Sequence, residues 1–132
     1  MTEISNKNTT NECVPQYPEW LSCYCIELPD NLKPLKLWEE IVDKLIASGC
    51  LRFVHPSLVE DYALLRSRYY DLEQKLSELM ENCHQNNDYL NDIYATSANS
   101  LKYLKYAQAT EDMIWAMAFN NEDGLYGEWT WG

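Results

Sequence analysis

The chain alternates between stretches with a helical hydrophobic rhythm and stretches without one. From Pro34 to Ser48, the residues Leu37, Trp38, Ile41, Val42 and Leu45 recur at the spacing that lines one face of a helix. Pro34 suits a first helical turn, where its missing N–H would have no partner anyway, and Gly49 supplies the left-handed residue on which helices commonly end. After Cys50, Leu51, Phe53 and Val54, the pair His55-Pro56 opens a second helix, predicted to run from about Pro56 to Glu81. Here Leu58, Tyr62, Leu65, Tyr69, Leu72, Leu76 and Leu79 alternate four and three apart, the heptad rhythm of a helix packed lengthwise on another. Leu65, Leu72 and Leu76 are expected to be buried there.

Residues 82–97 are polar and Asn-rich and read as a linker, pinned by Tyr89, Leu90, Ile93 and Tyr94. A third helix is predicted from about Ala98 to Phe119, with Ser97 as its N-cap and Leu101, Leu104, Ala107, Ile114 and Met117 on one stripe. Residues 1–19 lack periodicity and read as a mobile arm. The apolar run from Glu19 to Asp30 fits either a helical turn or an extended segment lying on the later helices. Two long helices joined by a loop form an antiparallel hairpin most simply, so the expected fold is all-α. The shorter helix packs at one end and the termini are flexible. The domain plan is an arm over 1–30, a helical core and oligomerisation domain over 31–119, and an acidic-aromatic tail over 120–132.

Charge sharpens this plan. The net charge is −11, and Lys plus Arg stand against Asp plus Glu as one to five in residues 1–30, seven to eight in 31–80, and two to eight in 81–132. General nucleic-acid affinity comes from cations that displace counterions from phosphates, so so acidic a chain requires a local patch or several subunits acting together. The candidates are Lys33, Lys36, Lys44, Arg52, Arg66 and Arg68, either as a DNA-facing patch or as ordinary solubility charges among Glu39, Glu40, Asp43, Glu60 and Asp61. In the tail, Tyr126, Trp129 and Trp131 stand among Glu122, Asp123 and Glu128. They read as a docking segment for a partner or as rings folded back on their own domain.

Chemistry is sparsely signalled. The four glycines build no phosphate loop, and His55 and His84 have no neighbour that suggests base catalysis. The five cysteines form no paired zinc spacing, and with no secretion signal or long apolar run they read as free thiols of a cytosolic protein that enters no membrane. The chain is therefore expected to be non-catalytic, without metal or cofactor.

The run Leu37-Trp38-Glu39-Glu40-Ile41-Val42-Asp43-Lys44-Leu45-Ile46-Ala47-Ser48-Gly49-Cys50-Leu51, followed by Leu58, Asp61-Tyr62 and Tyr69, resembles the signature of a large group of phage terminase small subunits. The resemblance covers about residues 30–119 and is specific over about 35–80. It implies a non-catalytic homo-oligomer, acting in a bacterial host cell, that recognises viral DNA and regulates the terminase large subunit. Two departures stand out. The family's basic, proline-rich arm is replaced here by Lys7 against Glu3 and Glu12, and its basic end by an acidic, aromatic one, which moves the tail's expected role toward protein docking. The alternative function is an acidic helical adaptor or inhibitor that docks on a basic partner surface.

Overall fold

The computed structural model describes residues 15–82, 89–120 and 127–131. Among them are three helices, α1 (Pro34–Ala47), α2 (Pro56–Asn82) and α3 (Tyr89–Asn120), with short 3₁₀ turns at Glu19–Cys23, Asp30–Leu32 and Leu51–Phe53 and no strand. Helices α2 and α3 form the long antiparallel hairpin, and α1 packs at one end of it.

Helix α1 follows its sequence closely. Pro34 opens it, and Leu37, Trp38, Ile41, Val42 and Leu45 are all buried. At its end Gly49 adopts φ +71°, where a side chain would be strained. The Gly49 N–H donates to the Ile46 carbonyl and the Cys50 N–H to the Leu45 carbonyl, a paired closure that satisfies the last orphan acceptors of the helix. Cys50 is itself buried beside Leu45 in the core, as a small apolar side chain would be. The chain then turns through Leu51–Phe53 to His55, whose Nδ1 accepts the Ser57 N–H at 3.1 Å and so caps the start of α2.

The core sits at this end of the hairpin. Val54, Val59, Tyr62 and Ala63 meet Trp38, Val42 and Leu45 from one side, and Ala107, Ile114 and Ala118 close it from α3. The segment before α1 belongs to it as well, since Leu21 and Leu28 are buried. Between the two readings left open for Glu19 to Asp30, the structure takes the helical turn. Side chains strap this segment down: Tyr17 Oη donates to Glu39 Oε2 at 2.6 Å, Trp20 Nε1 to Glu60 Oε1 at 3.0 Å, and buried Ser67 Oγ to the Leu32 carbonyl at 2.6 Å. Of the arm expected over 1–30, mobile over 1–19, residues 1–14 lie outside the described residues, while the part from Tyr17 to Leu28 is packed on the domain.

Three expectations about the hairpin are corrected. Helix α3 begins at Tyr89, not Ala98, and Ser97 is an exposed residue inside it and not a cap. Tyr89, Leu90, Ile93 and Tyr94 lie at helical spacing, and the propensity cost of the asparagines, a few tenths of a kcal/mol each, does not outweigh continuation of a long packed helix. The linker thus shrinks to residues 83–88, which lie outside the described residues. The α3 seam runs through Ser100, Ala107, Ile114 and Ala118, while Leu101, expected on the stripe, is 52% exposed. Leu65, Leu72 and Leu76 are half-buried rather than buried. Among the described residues no third layer covers the hairpin beyond α1 and the segment before it, and two cylinders in contact leave much of each seam open to water.

Candidate functional site

The six cations singled out by sequence do not form one patch. Lys33 pairs with Asp30 at 3.1 Å and Lys36 with Glu39 at 3.3 Å, both at the foot of α1, and exposed Lys44 stands in the last turn of that helix. Arg52 lies over the Phe53 ring and within 3.5 Å of Glu128. Arg66 lies over Tyr69 and Tyr70. Arg68 is placed differently from the other five: its guanidinium lies between the rings of Tyr24 and Tyr103, at 5.5 and 5.9 Å from their centroids.

Arg68 opens onto a cleft of about 490 Å³ along the hairpin, lined by Asp71, Leu72 and Lys75 of α2 and by Asn99, Lys102, Tyr103 and Tyr106 of α3. The antiparallel register creates it. On α3 the residues 99, 102, 103 and 106 share one face by helical spacing, and the return of the chain sets that face beside the Arg68, Asp71, Leu72 and Lys75 side of α2. Lys75 reaches Asp71 at 3.4 Å, one turn away, and both Lys75 and Lys102 are exposed. A shallower depression continues over Lys102, Lys105 and Tyr106. The Cys25 thiol is held above its ordinary range, first by burial and then by the Asp71 carboxylate, with Arg68 and Lys75 opposing; the segment before α1 thus borders the same charges. Sequence reasoning named Arg68 but missed Lys75, Lys102 and Lys105. They are scattered along the chain, and the only signal for them was the Lys102, Tyr103, Lys105, Tyr106 spacing of α3.

The tail takes the second of its two possible destinations. Trp131 is half-buried on its own domain, and its Nε1–H is shared between the Leu51 carbonyl at 3.0 Å and the Val54 carbonyl at 3.1 Å. The Trp129 N–H donates to the Arg52 carbonyl at 2.8 Å, and its ring meets His55 edge to face at 5.5 Å. Gly127, at φ +104°, bends the chain toward this seat. Tyr126 lies outside the described residues.

Cys23, Cys25 and Cys50 are free thiols, while Cys13, Cys83 and His84 lie outside the described residues. Among the described residues no group of three or more His, Cys, Asp or Glu side chains gathers as a metal ion would require, and no helix is long and apolar enough to cross a membrane. No family model, curated protein or solved structure matches the chain.

Proposed function

We propose that this chain is a non-catalytic small subunit of a phage terminase, binding viral DNA as a homo-oligomer and regulating the large subunit. The observation that carries the reading is residues 37–51. The tryptophan-centred helix closes on Gly49 and turns directly into a long hairpin, the arrangement that the resemblance implies for this stretch. Two further features support it. The hairpin beyond α1 leaves Leu72 and Leu76 half-covered and Leu101 and Tyr94 exposed, a surface that a second copy would bury. Cations from both hairpin helices face one side, so a ring of subunits would add their charges where one subunit has too few. In this reading the large subunit docks on the tail through half-exposed Trp129, Trp131 being engaged with Leu51 and Val54.

The net charge of −11 favours the acidic adaptor as the second reading. One experiment separates them. Light scattering on the purified chain is expected to give a multi-subunit mass, and duplex DNA binding by that oligomer is expected to fall steeply and linearly in log affinity against log salt. A monomer that binds no DNA at low salt overturns the terminase reading and leaves the adaptor.

A further inference from the structure

We infer that the cleft between α2 and α3 binds a nucleotide unit, with its phosphate on Lys75 and Lys102 beside Arg68 and its base on the Tyr106 ring. The inference goes beyond the packaging reading and does not depend on it.

The distribution of charge comes first. Ten Lys and Arg stand against 21 Asp and Glu in the whole chain, yet three of the ten line this one cleft, with Asp71 as the single acid among its described lining residues. Arg68 lies over two aromatic rings and makes no ion pair among the described residues, so the rings orient its charge toward the cleft. Lys102 is exposed and makes no ion pair among the described residues. Such an arrangement draws an anion to one place.

The rest of the lining selects what the anion is attached to. The Tyr106 ring, 51% exposed, stands four residues after Lys102 on the same face, so a flat base can lie on it while an attached phosphate reaches the lysines. The Asn99 amide offers both a donor and an acceptor to a base edge, and Asp71 accepts from a sugar hydroxyl or an exocyclic amine. The volume of about 490 Å³ lies within the range of small-ligand sites. Size also argues for a unit and against a duplex: charges more than about 8–10 Å apart are screened in physiological salt. A single nucleotide therefore feels the local cations, whereas a duplex laid on one subunit meets the surrounding acids.

The same unit is offered by a free nucleotide and by an unpaired end of a strand. The full chain is titrated calorimetrically with adenosine monophosphate and, separately, with a 5′-phosphorylated single-stranded hexanucleotide. Saturable binding of either supports the inference; tighter binding of the hexanucleotide names a strand as the source, and equal or weaker binding names the free nucleotide. Lys75→Gln with Lys102→Gln is expected to weaken binding at least tenfold, and Tyr106→Leu to weaken nucleotide binding about tenfold while leaving competition by inorganic phosphate unchanged. Lys36→Gln, with unchanged circular dichroism in all variants, is expected to bind as the parent does. Absence of binding at millimolar nucleotide, or parental binding by the cleft variants, overturns the inference. So does a loss of self-association in the cleft variants without nucleotide binding by the parent, which makes the cleft a subunit contact. Duplex binding and oligomer mass measured on the parent chain test the packaging reading separately.

Discussion

The two ends of the hairpin are built by different means. At the α1 end, large side chains from four segments interlock: Leu21, Trp38, Val54 and Ile114 are each at most 1% exposed. At the far end, among the described residues, two helices meet without a third, leucines are half-covered, and the buried position is Ser100, whose Oγ donates to Glu73 Oε2 at 2.5 Å. Burial of apolar area scales with the number of layers, so the first end holds the fold while the second presents surface and polar chemistry. The basic cleft runs from Arg68, which meets Tyr24 of the segment before α1, into this second region, where Lys75 and Lys102 are exposed.

The contrast is broken most directly at Trp38. Trp38→Ala is expected to cost about 3–5 kcal/mol, a large part of the roughly 5–15 kcal/mol that holds a domain folded, read as a lower midpoint in urea. Trp38→Phe is expected to cost less, because the indole N–H it removes is buried with no hydrogen-bond partner among the described residues. Equal costs for the two variants would show that the N–H matters in the folded state. Next in size is the tail. Trp131→Phe removes the donor shared by the Leu51 and Val54 carbonyls and is expected to cost roughly 1–3 kcal/mol. An unchanged midpoint would release the tail from the domain.

Leu72→Ala sharpens the comparison from the other side. Half-buried at the two-helix end, Leu72 is expected to cost about 1 kcal/mol in the isolated chain, below the 2–5 kcal/mol typical of a packed leucine. If self-association covers this region, the same variant is expected to cost more as protein concentration rises. A concentration-independent cost would mean that no second copy covers it.

The smallest effect concerns the Tyr17–Glu39 strap. The hydrogen bond from Tyr17, then that from Lys36, holds the Glu39 carboxyl below its ordinary 4.5, so this contribution is complete above that value and lost as pH falls through the lower folded one. The same bond to Glu39 raises Tyr17 above 10.0, so its contribution is complete below 10.0 and lost as pH rises through the folded value. Tyr17→Phe is expected to flatten both limbs slightly in thermal melts across pH. A parental profile in that variant would mean that the strap carries no linkage.

What the sequence disclosed follows the same division. Helix α1 was legible because Pro34, an unbroken apolar face and Gly49 all point to the same element. The start of α3 was not, because asparagines suggest a loop while Tyr89, Leu90, Ile93 and Tyr94 continue the helical face, and packing decides between them. The half-burial of Leu72 escaped because periodicity reports a seam and not how many layers cover it. The cleft escaped because Arg68 and Lys75 meet Lys102 only through the hairpin register, and the seat of Trp131 because the carbonyls of a short turn leave no mark in sequence.

That seat bears on the order in which the chain folds. Trp131 and Leu51 are 80 residues apart, so the Leu51 carbonyl, which already accepts the Val54 N–H at 3.2 Å, gains its second donor only after residue 131 has been made. Closing so long a span is not itself prohibitive, since doubling a loop adds only about 0.6 kcal/mol of entropy cost. It does set a sequence of events during synthesis. The α1 and α2 residues around Trp38 are made before α3, the cluster is completed by Ala107, Ile114 and Ala118, and only then is Trp131 available to the Leu51 and Val54 carbonyls.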